Sequence, residues 1–133
     1  MIRQSHVYLE SKKRRELIDI TEEINSLIAG EKGPGLLNIY VPHTTAGLVI
    51  NENESGLKDD IVNLFEKLAP RNGDYKHNLV DSNADAHLLS IFLKNNASIP
   101  FSDGKMMLGT WQSVFFAELD GPRQRQIIIT IIS

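Results

Sequence analysis

The chain of 133 residues contains no cysteine. That absence excludes a disulfide framework, a thiolate metal site and a cysteine nucleophile, and it fits a reducing compartment. Long apolar runs are missing too. No stretch approaches the roughly 20 residues that span a bilayer, and the apolar tail from Ile127 to Ile132 is far too short. Met1 to His6 has no apolar segment of the kind a signal peptide needs. An excess of positive charge is also lacking: 14 Lys and Arg face 17 Asp and Glu, for a net charge of -3. A general nucleic-acid binder is expected to be basic, so neither nucleic acid nor membrane is expected as a partner. No repeat, low-complexity tract or linker interrupts the chain. What remains is the expectation of one cytoplasmic domain over 1–133, a length at which roughly two thirds of the unfolded surface is buried on folding.

Hydrophobic periodicity supplies the elements. Alternation from His6 to Glu10 sets Val7 and Leu9 on one face and predicts a strand; Glu16 to Ile20 reads as a second. Thr21 is placed to cap a short helix with Glu22 and Glu23 in its first turn. Gly30 and the Gly33-Pro34-Gly35 triplet end that helix. Leu36 to His43 predicts a strand with Leu37, Ile39, Val41 and His43 on one face. Thr45 to Glu52 predicts the next, with Ala46, Leu48, Ile50 and Glu52 aligned. Leu57, Ile61, Leu64, Phe65 and Leu68 mark an amphipathic helix. Ser82, with Asp85 three residues on, opens another that runs to about Asn95, with Ala84, His87, Leu88, Ile91 and Phe92 along one side. Three strands are expected after it: near Ser98 to Phe101, from Lys105 to Leu119, and from Gln126 to Ile132. The last is apolar on both faces, as sandwiched strands are. Strands and helices do not alternate regularly, so the expected class is α+β: a β-sandwich of mixed sheets with helices packed on it.

Three of the four histidines fall in unusual places. His43 ends a strand on its apolar face, His77 lies between two helices, and His87 lies on a helical apolar stripe. Imidazoles in such places need hydrogen-bond partners or a metal to offset desolvation. Three of them arriving from a strand, a loop and a helix suit zinc with an open fourth position; a satisfied core histidine is the alternative for each. No HxH or HExxH spacing shows that they meet. Glu52 points inward as a candidate general base or histidine-orienting carboxylate, or else the Asn51–Glu54 stretch only caps the next helix through Asn53. Asp81, four residues after His77, holds a histidine tautomer, binds a metal, or serves a turn. In Gly109-Thr110-Trp111-Gln112 the glycine marks a bulge or a close approach by a ligand. Trp111 reads as core beside Phe115, while Thr110 and Gln112 share the other face and offer donors to a phosphate. Arg123 and Arg125, after a turn, are either an anion clamp or ordinary surface arginines. The basic run Lys12 to Arg15, without interleaved aromatics, reads as a solvated loop.

Together, His43-Thr44-Thr45-Ala46, Asn51-Glu52-Asn53, Asp74-Tyr75 with His77, then His87, and Gly109-Thr110-Trp111-Gln112 resemble the YjbQ-like family. The Gly-Thr-Trp-Gln segment is the most specific part, and the match covers almost the whole chain. The resemblance implies a small α+β protein with a β-sandwich core, usually a homotrimer, with a divalent metal such as zinc at the positions matching His43, His77 and His87. Glu52 and Asn53 match the acidic motif that follows the histidine strand. The resemblance also implies a secondary ability to make thiamine phosphate from a pyrimidine diphosphate and a thiazole phosphate. In such a metal-assisted transferase, His43, Glu52 and Asp81 would act at the reacting groups, and Thr44, Thr110, Gln112 and Arg123 would contact phosphate. Two alternatives keep the same residues: a zinc-dependent phosphoester hydrolase, and a non-catalytic trimeric binder of a phosphorylated metabolite. Some relatives carry Ser where this chain has Thr45, and their final turn varies around Arg123.

Overall fold

The computed structural model describes residues 1–133. The N-terminal alternation becomes β1 (Ile2–Glu10), which pairs along its whole length with β8 (Gln124–Ile132). On its other edge β8 pairs with β3 (Pro34–Tyr40), then come β5 (Asn96–Ser102) and the two-residue β6 (Lys105–Met106). A second sheet holds β2 (Glu16–Asp19), β7 (Ser113–Glu118) and β4 (Ala46–Asn51), with β7 in the middle. The α+β sandwich class holds. Each sheet, however, is antiparallel throughout, where mixed sheets were expected. The reason is in the connections. Helix α1 (Thr21–Ile28) carries the chain from β2 in one sheet to β3 in the other. Helices α2 (Ser55–Leu68) and α3 (Ala84–Leu93) lie on the path from β4 to β5, again between sheets. No helix joins two neighbours of the same sheet, which is the connection parallel pairing requires.

Between the sheets lies a core of 16 buried residues, among them Leu37, Ile39, Leu48, Phe116, Ile127 and Ile129. Each such side chain contributes roughly 1.5–3 kcal/mol by leaving water. A smaller cluster of Phe65, Ala69, Ala86, Leu89 and Leu119 seats α2 and α3 on the outer side of the three-stranded sheet. The strand covered on both faces is therefore β7, buried from Val114 onward, whereas β8 alternates between buried and more exposed residues.

Two local expectations change. The stretch from Lys105 to Leu119 is not one strand. Gln112 donates its N–H to the Gly109 carbonyl at 3.0 Å, and its side-chain oxygen accepts the Gly109 N–H at 2.8 Å. This closed turn competes with the ladder and leaves Trp111 72% exposed rather than in the core. In α3 the buried residues are Ala84, Asp85, Ala86 and Leu89, while Ile91 is 78% and Phe92 70% exposed. The helix is apolar on both sides, so periodicity offers two stripes. The tie is broken by Asp85, which is drawn inward by arginines.

Helix starts differ as well. Thr21 is the first residue of α1, and the Asp19 carboxylate accepts its N–H at 2.9 Å and its hydroxyl at 2.6 Å. Glu54, not Asn53, caps α2 by accepting from the N–H groups of Gly56 and Leu57. No helix is long and apolar enough to cross a membrane.

Candidate functional site

The site begins where β3 stops. Past Tyr40 the Val41 N–H donates to the Asn95 carbonyl at 2.7 Å, and the segment Pro42-His43-Thr44-Thr45 turns toward β4. Arg125, only 6% exposed, pins this segment from below. Its Nη2 donates to the Thr45 carbonyl at 3.0 Å and to Thr45 Oγ1 at 2.9 Å. The same guanidinium pairs with Glu118, which is fully buried. A buried carboxylate needs its lone pairs filled. Glu118 also accepts from Ser11 Oγ at 2.6 Å and from the N–H groups of Leu119 and Asp120 at 3.0 and 3.1 Å. Burial alone would push its carboxyl up; the bonds from Arg125 and Ser11 outweigh this and hold it below the usual carboxylate range.

His43 takes the place that β3 has vacated beside β8. Its Nε2 lies 3.1 Å from both the N–H and the carbonyl of Gln126. If Nε2 accepts the Gln126 N–H the proton sits on Nδ1, and if it donates to the Gln126 carbonyl Nδ1 is an acceptor; in both tautomers Nδ1 is the nitrogen without a protein partner. Burial, then the charge of Arg125, holds this imidazole below the ordinary histidine range. The ring also meets the edge of Phe116, centroids 6.4 Å apart.

A cavity of about 630 Å³ opens above these groups, and only two of its 13 lining residues are hydrophobic. His43, Thr44 and Thr45 form one wall, Asp81, Asn83 and His87 a second, and Asp120 with Arg123 a third. Arg123 is largely engaged: its Nε donates to the Asp120 carbonyl at 2.7 Å and its Nη2 to the Asp120 carboxylate at 2.9 Å.

A polar chain supports the second wall. Asn83 Nδ2 donates to the Asp120 carboxylate at 2.8 Å, and His77 Nε2 lies 3.1 Å from Asn83 Oδ1. A carboxylate only accepts, so the amide must turn its oxygen toward His77. His77 therefore carries a proton on Nε2. The His77 ring stands edge-on to His87, centroids 4.8 Å apart. Beneath them Asp85, fully buried, accepts a bidentate pair from Arg14 at 2.9 and 3.0 Å and a third bond from Arg15 at 2.7 Å. Burial would raise its carboxyl, but the arginine bonds hold it low. Arg14 and Arg15, expected in a solvated loop, are instead turned inward. Arg15 also reaches Glu66 and the Ala69 carbonyl, although its Nε is buried without a partner.

The structure brings His43, Thr44, Asp81, His87 and Arg123 to one cavity. His77 touches His87 without lining it. No group of three or more His, Asp or Glu side chains stands in metal-binding geometry. Nε2 of His43 lies beside Gln126 and Nε2 of His77 beside Asn83, while the Nδ1 atom of each ring has no protein partner. Glu52, Thr110 and Gln112 lie at the other end of the three-stranded sheet. There β4 pairs Asn51 with Ser113, whereas the cavity end pairs Ala46 with Glu118. Five residues of strand separate the two ends, roughly 17 Å. Asn83, Asp85, Glu118 and Asp120 were not singled out for these roles. The one available signal was Glu118 itself, an acid set between Ala117 and Leu119 in an otherwise apolar run.

A family model described as UPF0047 protein YjbQ-like matches residues 5–133. A UPF0047 protein of Archaeoglobus fulgidus is 49% identical over 121 residues, covering 91% of this chain and 94% of that protein. A UPF0047 protein of Methanothermobacter thermautotrophicus is 44% identical over 125 residues, covering 92% and 87%. Among solved structures, a YbjQ-like protein of unknown function from Sulfolobus solfataricus P2 superposes with a TM-score of 0.95 at 36% identity, covering 100% of this chain and 98% of that one.

Proposed function

This chain belongs to the YjbQ-like UPF0047 family, and on that premise we propose that the cavity beside His43 works on a small phosphorylated metabolite. Condensation of a pyrimidine diphosphate with a thiazole phosphate is proposed as a side activity. The observation that carries this reading is the lining: the imidazole of His43, the hydroxyl residue Thr44 and the guanidinium residue Arg123 border one polar cavity. In the condensation, the thiazole nitrogen forms a bond to the methylene carbon of the pyrimidine. The bond from that carbon to the diphosphate oxygen breaks, and pyrophosphate leaves with the electron pair. Little covalent work falls to the protein. Its part is to align two substrates and donate hydrogen bonds to the departing oxygens. In the tautomer whose Nε2 accepts the Gln126 N–H, His43 donates from Nδ1; Thr44 and Arg123 add donors, and Asp81 with His87 bounds the opposite wall.

The test is to incubate purified protein with both substrates and measure thiamine phosphate and pyrophosphate together. Product from wild type, lowered about 10²-fold in His43→Ala, supports the transferase reading. Release of phosphate without the thiazole substrate replaces it with phosphoester hydrolysis. Tight binding of phosphorylated substrates with no product replaces it with a non-catalytic binder. A homotrimer and a divalent metal, zinc first, are part of the proposal on the family resemblance alone, with His43, His77 and His87 as the donors that would have to rearrange. Metal content per chain in wild type and in His87→Ala decides it.

A further inference from the structure

The cavity beside His43 does not end at His87. A second cavity of about 400 Å³ shares His43, Thr44, His87 and Asn95 with the first and extends to Ser90 and Lys94. The two form one cleft with the imidazoles in the middle, Arg123 at one end and Lys94 at the other. Arg123 is tied to Asp120. Lys94 makes no salt bridge.

The backbone of Lys94 is the second observation. It stands at the C-cap of α3 with φ 72° and ψ 154°, a region that is essentially reserved for glycine. The conformation is forced by what the chain must do there. The Lys94 carbonyl accepts the Leu48 N–H from β4 at 3.2 Å, and the next carbonyl, of Asn95, accepts the Val41 N–H. Helix α3 is thus turned sharply into β5 between two sheets. The crossing is tight: a Cβ on Gly47 would come within 2.8 Å of Leu93 Cβ and 3.0 Å of the Lys94 carbonyl. Helices commonly end on a glycine just where such a backbone is needed. Here the position holds an exposed lysine, which lines the second cavity and also borders a third one beside Leu48, Ile50 and Ser98.

We infer that Lys94 is an anion-binding residue, held in a strained conformation so that its ammonium reaches the end of the cleft opposite Arg123. The cleft then takes phosphate groups on both sides of His43 and His87. That suits either two phosphorylated substrates meeting at the imidazoles or one metabolite phosphorylated at both ends. The inference rests on the phosphorylated-metabolite reading and adds to it a second anion subsite.

Strain and charge are separable by substitution. Lys94→Gly removes both, Lys94→Met removes only the charge, and Lys94→Arg keeps both. Calorimetric titration with inorganic phosphate, alongside thermal unfolding, reads the two effects independently on the full chain. Lys94→Gly is expected to raise Tm by about 3 °C or more while weakening phosphate binding about tenfold, the loss of one charge-assisted contact. Lys94→Met weakens binding equally with no gain in Tm, and Lys94→Arg retains wild-type affinity. Unchanged phosphate affinity in Lys94→Met and Lys94→Gly, with binding by wild type intact, overturns the assignment of Lys94 and leaves the cavity reading standing. Absence of phosphate binding by wild type overturns both.

Discussion

The two ends of the three-stranded sheet treat similar polar residues in opposite ways. At the end where Ala46 faces Glu118, the polar groups are buried and paired in long-range contacts, and they hold up a cavity: Arg125 on Glu118, Asn83 on Asp120, His43 on Gln126. At the end where Asn51 faces Ser113, they mostly satisfy one another near the surface. Asp19 accepts from Thr21 and Asn53, the Thr21 hydroxyl accepts the Val114 N–H, and Gln112 folds back on Gly109. Both ends carry segments on which the family resemblance was read. The difference teaches that a candidate site needs polar groups lining a cavity, as at His43 and Thr44, and not residue type alone.

The sharpest way to break this contrast is to empty one partner from each end. Arg125→Ala strips Glu118 of its counter-ion inside the fold. Removing one member of a buried pair typically costs about 3–5 kcal/mol, whereas replacing both by apolar residues is often near neutral. Urea unfolding should therefore show a large loss for Arg125→Ala and a substantial recovery when Glu118→Leu is combined with Arg125→Met. At the other end Asp19→Ala removes a helix-starting acceptor and is expected to cost about 1 kcal/mol. Equal losses at the two ends would refute the contrast.

Acidification sharpens it further. His43 titrates below the ordinary histidine range in the folded protein. As pH falls through about 6.5, the unfolded chain takes up a proton at this position that the folded chain still refuses. Stability therefore falls with pH in that window, and the fall stops once pH passes below the folded value. Between pH 7.5 and pH 5.5, wild type should lose more unfolding free energy than His43→Gln, which has nothing to titrate there. A wild-type loss no greater than that of the variant would mean that His43 is not held neutral by its burial and by Arg125.

Much of this arrangement was readable in the chain. Period two set Leu37, Ile39 and Val41 on the core face leading to His43, although β3 stops at Tyr40 and His43 lies beyond it, and the element order already implied a sandwich. What escaped reading depends on contacts between distant residues. Asp85 joins Arg14 and Arg15 across 71 and 70 positions, and that contact chooses which apolar stripe of α3 is buried. Neither stripe is privileged locally, because Leu88, Ile91 and Phe92 repeat as well as Ala86, Leu89 and Leu93 do. Gly109-Thr110-Trp111-Gln112 looked like strand because its flanks are apolar, but the Gln112 side chain closes the turn. The glycine-like backbone of Lys94 left no mark in composition or spacing. It follows from the sharp exit of α3 between two sheets.

The smallest expected effect is also the most discriminating. Trp111 is 72% exposed on a turn held by its own backbone and by Gln112. Trp111→Ala should shift unfolding free energy by no more than about 0.5 kcal/mol, as surface substitutions do. Within one chain it lies at the far end of the sheet from His43, so neither phosphate binding nor thiamine phosphate formation should change. A fall in turnover with stability intact would show that the two ends are not independent. Since no path inside one chain brings Trp111 to the cavity, the contact would have to come from a second copy whose turn reaches the His43 cleft of the first. In a ring of identical subunits every cleft can be completed in this way. Mixing Trp111→Ala with His43→Ala chains then decides the matter. In a mixed assembly some clefts combine an intact His43 with an intact Trp111 from the neighbour, and activity returns. If the ends act independently, Trp111→Ala chains are already active and mixing restores nothing.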